Sequence, residues 1–214
     1  MKILQHTIFI NLEHRKDRLE HVKCELKKIN INSPIRFNAI KTTHGAIGCT
    51  LSHMKCLEIA KKNNWEFVFI CEDDITFTDP DTFLTNLTKF YNNKNIQWDI
   101  CIIGGNNVPP YHKTNTYCAR VFNCQTTTGY IVRNTFYDTL IKNFKEGVNK
   151  LLKDPNNKSM YAIDIYWKKL QMQYFWYMII PPTVTQYENY SDIENKTLNY
   201  EKLLLDMDKK WLNK

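Results

Sequence analysis

Strand-like and helix-like segments alternate through the first half of the chain, and this alternation constrains the fold more than any other feature of the sequence. The predicted strands are rich in β-branched and apolar residues, and they cover residues 6–11, 35–40, 67–71 and 99–105. The predicted helices carry apolar residues at helical spacing, and they cover residues 13–29, 48–62 and a segment that begins at Asp79-Pro80. Strands that alternate with helices are typical of βαβ units, so we predict an α/β fold with a mainly parallel central sheet flanked by helices.

The second half of the chain carries a less regular pattern. Strands are predicted for residues 116–122, 126–132 and 174–180, and helices for residues 136–145, 163–171 and 198–212. In α/β sheets, ligands bind at the carboxyl ends of the strands. We therefore expect the binding site where the strand 67–71 runs into acids and where the strand 99–105 ends in glycines.

The composition indicates a packed protein that favours anionic partners. Hydrophobic residues make up 43% of the 214 residues, which is enough for a sizeable core. The formal net charge of +7 favours anionic ligands, but the lysines are scattered, so no nucleic-acid-binding surface is predicted. The seven cysteines include no CxxC pair, which speaks against a zinc or disulfide framework.

The sequence predicts neither a membrane-spanning segment nor a signal peptide. No apolar stretch approaches the roughly 20 residues that cross a bilayer. The apolar run near the N-terminus is short and is followed by no small-residue cleavage site. We therefore expect a cytoplasmic protein, with no more than a peripheral contact with a membrane.

The stretch FVFICEDDITF, residues 67–77, places Glu72, Asp73 and Asp74 at the end of a strand that is apolar throughout. Burying an unpaired carboxylate costs several kcal/mol, so a positive partner is expected here. A solvated Asp-rich turn is the plainest alternative. The Walker B acid of an ATPase would need an upstream phosphate loop with its lysine, which is missing. A receiver or phosphohydrolase site would need a phosphorylatable aspartate on another strand, and none can be placed.

The remaining interpretation is a DxD-like site for Mn²⁺ or Mg²⁺, as in nucleotide-sugar glycosyltransferases. Carboxylate oxygens suit both ions, and such a cation would stabilise the charge on a leaving diphosphate. Because alternate residues of a strand share a face, Glu72 and Asp74 are expected to project together and to bind the metal. Asp73 is then expected to contact the donor, unless a twist at the strand end brings it to the metal in place of Glu72.

Blocks of sequence spread over residues 9–194 resemble glycosyltransferase family 25, which includes lipooligosaccharide and procollagen galactosyltransferases. In chain order, the blocks read FINLEHRKDRLE, RFNAIKTTHGAIGCTLSHMKCLEIA, FVFICEDDITF, WDICIIGG, TTTGYIVRN, IDIYWKKL and PPTVTQYENYSDIE. The GCxLSH block followed by the EDD block is the most specific part of the resemblance. Residues 111–123 have little counterpart in the family's pattern.

The resemblance implies a GT-A-like fold, a nucleotide-sugar donor and transfer with inversion at the anomeric carbon. The donor would be a UDP-sugar carrying galactose or glucose. The acceptor would be a hydroxyl of a glycan, or of hydroxylysine in a glycoprotein or collagen-like protein. We expect one domain over residues 1–214, with a nucleotide-sugar half over residues 1–108 and an acceptor half over residues 109–214.

The resemblance places the donor nucleotide at Asn11 and Leu12, where the first strand ends. Arg15 and Arg18 lie three residues apart and share a helix face. Guanidinium groups suit phosphate oxygens, so both arginines are expected to pair with the diphosphate. A solvated helix face, with nearby acids as partners, is the alternative.

Gly48 follows Gly45 at the start of the second predicted helix, where glycine permits a close backbone approach and a helix N-terminus favours an anion. A plain helix-entry turn is the alternative. Ser52 and His53 are neighbours on this helix and point about 100° apart, so they do not form a hydrolase pair. The resemblance makes them a pair beside the donor or the acids, and a structural histidine in the core is the alternative for His53.

Asp164, in YAIDIYW, is the candidate catalytic base, because an inverting transferase needs a carboxylate to take the proton of the acceptor hydroxyl. A helix cap is the alternative interpretation, and Glu188 and Asp192 are further candidates for the base. Gln186 and Ser191, in the C-terminal block, are expected to close over the diphosphate as a lid does.

Together these residues predict an inverting, Mn²⁺- or Mg²⁺-dependent hexosyltransferase with a UDP-sugar donor. Residues 128–130 could add a contact with the acceptor or the sugar. One alternative is a non-catalytic homologue that binds sugar nucleotides or glycans, which would not need the intact acid triplet. Another is a metal-dependent nucleotidyl- or phosphotransferase, which would need a phosphate-loop lysine.

Overall fold

The computed structural model of the chain describes residues 1–191 and 196–209. The strands are β1 (Thr7–Asn11), β2 (Ile35–Asn38), β3 (Phe67–Glu72), β4 (Ile75–Phe77), β5 (Ile100–Asn107), β6 (Tyr111–Lys113), β7 (Cys118–Val121), β8 (Cys124–Arg133), β9 (Trp176–Ile179), β10 (Val184–Gln186), β11 (Asn189–Ser191) and β12 (Lys196–Leu198). The helices are α1 (Lys16–Lys28), α2 (Gly45–Lys62), α3 (Pro80–Asn92), α4 (Tyr137–Lys153), α5 (Lys158–Tyr161), α6 (Ile163–Tyr166), α7 (Lys168–Gln171) and α8 (Glu201–Leu205). Over these residues, no helix is both long and apolar enough to cross a membrane.

Within the described residues, eight strands form one central sheet in the order β2-β1-β3-β8-β5-β9-β7-β6. β2, β1 and β3 pair in parallel, and so do β5 and β9. β8 runs antiparallel between β3 and β5, while β7 is antiparallel to both β9 and β6. The predicted α/β fold with a central sheet flanked by helices is confirmed. The sheet itself is mixed, with parallel pairs on either side of β8.

Helices cover both faces of the sheet, and β3 contributes apolar side chains to the core on each face. Val68 and Ile70 point into the core beneath α2 and α4, whereas Phe67, Phe69 and Cys71 point into the core beneath α1 and α3. A strand buried on both faces reads as a continuous apolar run, without alternation. This is why FVFIC carries no polar residue until the strand ends at the acids.

The start of α3 agrees with the sequence prediction, whereas α4 is longer than expected. Asp79 accepts a hydrogen bond from the Thr82 N–H at 3.0 Å, with Pro80 as the first helical residue. The helix predicted for residues 136–145 continues to Lys153 through Gly147. A Cβ on Gly147 would lie 3.1 Å from Tyr166 Cδ1, so glycine lets α6 pack closely on α4.

The two C-terminal helices are shorter than predicted. The segment 163–171 divides into α6 and α7 at Trp167, whose indole N–H donates to the Cys124 carbonyl at 3.0 Å. The helix predicted for residues 198–212 is confined to α8, and residues 210–214 lie outside the described part of the chain. The periodicity of these segments did not reveal where tertiary contacts interrupt them.

The chain turns sharply after β3 and then leaves the central sheet. Asp73 and Asp74 form the turn, and β4 pairs antiparallel with β10, with Ile75 opposite Gln186. The Tyr187 N–H also donates to the Asp74 carbonyl at 2.6 Å. This small second sheet brings the C-terminal segment beside the acids, although more than a hundred residues separate them in sequence.

Candidate active site

A cleft of about 540 Å³ opens where β1 and β3 end and β8 begins. Predicted site residues from distant parts of the chain meet on its walls, namely Leu12, Arg15, Arg18, Gly48, Ser52, His53, Glu72, Asp73, Asp74, Asp164 and Gln186. Asn11 is buried and donates a hydrogen bond to Asp73 Oδ2 at 2.7 Å, while Ser191 ends β11. The structure therefore gathers the predicted residues in one region, and their roles stay predictions.

The three acids do not divide as the strand alternation suggested. β3 ends at Glu72, so the alternation does not extend into the turn. Arg18 Nη1 donates to Asp73 Oδ1 and to Asp74 Oδ2, each at 3.0 Å, which pairs these two carboxylates. The side-chain alternation that predicted Glu72 and Asp74 on one face belongs to the extended strand alone, so it does not decide which of the three acids would share a metal.

The paired aspartates are short of positive charge. Burial raises the pKa of Asp74 to about 8, the charge of Glu72 adds to the rise, and Arg18 opposes it. Burial also raises the pKa of Asp73, although Arg18 and Asn11 oppose this. Asp74 Oδ1 is buried and has no hydrogen-bond partner among the described residues. One guanidinium thus does not compensate the two carboxylates, and a further cation would stabilise them.

This raised pKa predicts a pH-dependent stability. Below the unfolded pKa of about 3.9, Asp74 is protonated in both states and has no effect. Between that pH and about 8, the folded chain holds a proton that the unfolded chain releases, so this residue lowers stability as pH rises. We expect the melting temperature of the wild type to fall relative to that of Asp74→Asn between pH 4 and 8. The fall should be roughly 2–4 °C for each kcal/mol that the wild type loses in free energy of unfolding. Calorimetry measures this, with the exposed Asp154→Asn as the matched control; parallel curves for wild type and Asp74→Asn would contradict it.

Asn11 holds the Asp73 carboxylate through a hydrogen bond. Its Nδ2 donates to Asp73 and to the Arg15 carbonyl at 3.1 Å, and its Oδ1 accepts from Arg36 Nε at 3.0 Å. A buried amide with both ends bonded holds one orientation. The residue predicted to contact the nucleotide is therefore placed behind Asp73, where it positions the carboxylate.

Glu72 faces α2 and β8. Its Oε1 accepts a hydrogen bond from Thr127 Oγ1 at 2.5 Å and lies 3.3 Å from His53 Nε2. His53 is buried, and its Nδ1 lies 2.9 Å from the Tyr130 hydroxyl. Burial raises the pKa of Glu72, but the hydrogen bond and charge of His53, together with Thr127, lower it on balance. His53 thus contacts an acid directly.

Ser52 and Gly48 fasten the start of α2 to the loop after β2. The Ser52 hydroxyl donates to the Gly48 carbonyl at 2.7 Å and accepts from the Ile40 N–H at 2.9 Å. A Cβ on Gly48 would lie 2.3 Å from the Ile40 carbonyl oxygen, so this close approach requires glycine. The first turn of α2, with Gly45, lines the cleft.

Asp164 belongs to α6 and lines the cleft. Its half-buried carboxylate accepts the Thr126 N–H through Oδ2 at 3.0 Å. Burial raises the pKa of Asp164, and the backbone hydrogen bond from Thr126 only partly offsets this. A plain helix cap does not describe Asp164. The helix α6 is only four residues long, and the carboxylate accepts its hydrogen bond from Thr126 of β8.

The C-terminal segment lies against the arginines. Arg15 and Arg18 each donate to the Tyr190 carbonyl at 3.1 Å, and Arg15 also pairs with Asp17 at 2.9 Å. Gln186 lines the cleft from β10. Glu188, one of the alternative bases, accepts a hydrogen bond from Asn199 Nδ2 at 2.8 Å. The other alternative base, at position 192, lies outside the described residues.

Several residues of the cleft were not found from the sequence. Lys41, Thr127, Lys158 and Tyr187 line it, and the Tyr187 ring stacks on His21 with centroids 4.4 Å apart. Residues 128–130, which were candidates for a contact with the acceptor or the sugar, are buried in β8. The TTTGY motif does mark this segment in the sequence. The side chains of the segment that reach the cleft are those of Thr126 and Thr127, near the start of β8.

A model of the family described as glycosyltransferase family 25 (LPS biosynthesis protein) matches residues 39–154. The match covers more than half of the chain and includes α2, the acid turn and β5. The protein is therefore a glycosyltransferase with an α/β fold. It belongs to glycosyltransferase family 25.

A comparison with solved structures finds several that are similar to part or most of the chain. A197 from STIV is 13% identical, with a TM-score of 0.46 and coverage of 91% of this chain and 94% of that one. A glycosyltransferase involved in the glycosylation of the major capsid of PBCV-1 is 10% identical, with a TM-score of 0.47 and coverage of 82% and 92%. A Drosophila β1,4-galactosyltransferase 7 mutant in complex with manganese, UDP-Gal and xylobiose is 10% identical, with a TM-score of 0.35 and coverage of 63% and 51%. No curated protein is significantly similar to the chain in sequence.

Proposed function

We propose that the protein is an inverting, metal-dependent hexosyltransferase that moves galactose or glucose from a UDP-sugar to a hydroxyl of a glycan or hydroxylysine-type acceptor. The observation that carries this proposal is the meeting, in one cleft, of an arginine pair, a buried aspartate pair and a separate half-buried aspartate. We propose a single domain, with the donor bound mainly by residues 1–108 and closed over by Gln186 and Ser191, and with the acceptor bound by residues 109–214.

The arginine pair supports an anionic donor. Arg15 and Arg18 line the cleft beside the aspartates, and their present partners include a backbone carbonyl and carboxylates. A diphosphate would offer both guanidinium groups a charged, bidentate acceptor in place of the Tyr190 carbonyl. The proposed donor contacts are Leu12, Arg15, Arg18, Gly48, Gln186 and Ser191, with Asn11, Ser52, His53 and Asp73 behind or beside them.

The acid turn fits a hard divalent cation. Asp73 and Asp74 would hold Mn²⁺ or Mg²⁺, since both ions prefer carboxylate oxygens and Asp74 has a buried oxygen without a partner among the described residues. Glu72 is bonded to Thr127 and His53, so we assign it to the metal only as an alternative. When bound, the cation would stabilise the negative charge that develops on the leaving diphosphate.

Asp164 would act as the base. A carboxylate whose pKa is raised by burial is a better proton acceptor near neutral pH than an exposed one. Its carboxylate would take the proton of the acceptor hydroxyl while the hydroxyl oxygen attacks the anomeric carbon. The bond from that carbon to the UDP oxygen breaks in the same displacement, so the configuration inverts.

A screen of nucleotide sugars tests the proposal. We expect UDP release from UDP-galactose or UDP-glucose with Mn²⁺ or Mg²⁺, and its loss with a chelator, measured by a UDP-detection assay. Turnover that survives the chelator would contradict metal dependence, and an α-linked product from an α-donor would contradict inversion. Formation of a nucleotide sugar and pyrophosphate from a nucleoside triphosphate and a sugar phosphate would identify a nucleotidyltransferase instead.

A further inference from the structure

Three side chains with different donor atoms meet on the wall of the cleft next to the acid turn. Cys49 Sγ, His53 Nε2 and Glu72 Oε1 all lie within 4.8 Å of one another. Cys49 and His53 are four residues apart on α2 and share a helix face, while Glu72 ends β3. This mixed set follows no CxxC spacing, so the cysteine pattern of the sequence does not reveal it.

The spacing of these atoms suits one tetrahedral cation. Glu72 Oε1 lies 3.3 Å from His53 Nε2 and 3.9 Å from Cys49 Sγ. Zinc bound at about 2.1 Å from nitrogen and oxygen and about 2.3 Å from sulfur separates its ligand atoms by roughly 3.3–3.7 Å. The two distances to Glu72 Oε1 are thus close to those in a zinc site, and the third pair, which lies within 4.8 Å, would close by up to about 1 Å on binding.

The hydrogen bonds around the cluster favour the same conclusion. Glu72 Oε1 has three hydrogen-bonding neighbours, namely Thr127 Oγ1, His53 Nε2 and the Cys49 thiol. This is one more than the two lone-pair sites of a carboxylate oxygen. The Tyr130 hydroxyl holds His53 Nδ1 from behind, and metal-binding histidines are oriented in this way through their second nitrogen. Binding of a cation would release the Cys49 thiol proton to solvent and replace two of the contacts to Oε1.

We propose that Cys49, His53 and Glu72 form a binding site for a thiophilic divalent cation, and that Zn²⁺ is the ion this donor set takes. Sulfur and imidazole ligands select zinc, whereas the aspartate pair offers oxygen alone. All three ligands line the cleft, so the fourth position opens toward it. The cation would draw Glu72 to α2 and leave Asp73 and Asp74 as a separate site.

Titration of the full-length protein with Co²⁺, in the absence of any nucleotide sugar, tests this site separately from the proposed function. We expect a thiolate-to-cobalt charge-transfer band in the near ultraviolet and intense visible bands of a four-coordinate ion, both bleached by stoichiometric Zn²⁺. Cys49→Ser should lose the charge-transfer band. Tyr130→Phe should weaken cobalt binding about 10- to 100-fold, because it frees the second histidine nitrogen.

Matched controls separate this site from other thiols and from the aspartate pair. Cys24→Ser changes an exposed thiol on α1, and Asp74→Asn changes the neighbouring carboxylate, so both should keep the band. Absence of the band in the wild type at millimolar Co²⁺, or its persistence in Cys49→Ser, would overturn the proposal. If Cys49→Ser does not fold by circular dichroism, Glu72→Gln decides: at least tenfold weaker binding supports the site, and unchanged affinity overturns it.

Discussion

Asp164→Asn is expected to lose about 10²–10⁴-fold in turnover while its affinity for UDP stays within a factor of about two, because a general base contributes a factor of this size. The amide oxygen can still accept the Thr126 N–H, so the local fold is kept, but the side chain no longer takes a proton. Steady-state UDP release gives the turnover, and calorimetric titration with UDP and Mn²⁺ gives the affinity.

Glu188→Gln is the matched control for this variant. It removes one carboxylate charge from Glu188, an exposed residue that was one of the two alternative bases. We expect near wild-type turnover for it. A loss of tenfold or less in Asp164→Asn, or a large loss in Glu188→Gln, would show that another carboxylate takes the proton.

Asp74→Asn is expected to lose turnover by at least about a hundredfold, together with the Mn²⁺-dependent thermal stabilisation by UDP. A metal ion contributes several kcal/mol to the stabilisation of a leaving group, and each 1.36 kcal/mol is about a tenfold change in rate. Arg18 still pairs with Asp73 in this variant, so the turn keeps its internal ion pair. Turnover and melting temperature with UDP, each with and without Mn²⁺, measure the effect.

Asp81→Asn provides the comparison for Asp74→Asn. Asp81 is exposed in the first turn of α3, so its loss changes the net charge equally but leaves the cleft intact. We expect this variant to retain both the turnover and the Mn²⁺-dependent stabilisation. Unchanged kinetics in Asp74→Asn would show that this carboxylate does not bind a catalytic metal.

Much of the fold could be predicted because it depends on local patterns. The apolar runs of β1, β3 and β5 and the helical spacing in α1 and α2 are properties of short segments. The Asp79-Pro80 start of α3 is local too. The direction of β8 could not be predicted, because parallel and antiparallel strands that are buried on both faces carry the same apolar run.

The candidate site was predictable as a set of residues but not as an arrangement. The EDD and GCxLSH blocks and Asp164 were found from the sequence, and the structure brings them to one cleft. Lys158 and Tyr187 were missed, because nothing in their neighbouring residues marks a side chain that reaches a cleft through distant packing.

The sequence by itself determined that an apolar strand ends in three carboxylates, and it predicted the active site at this end of the sheet. Only the tertiary structure decided how those carboxylates are shared. Arg18 of α1 pairs with both Asp73 and Asp74, whereas His53 of α2 and Thr127 of β8 contact Glu72. The physical reason is that burial makes each charge depend on its nearest partner in space, and these partners come from elements far apart in the sequence.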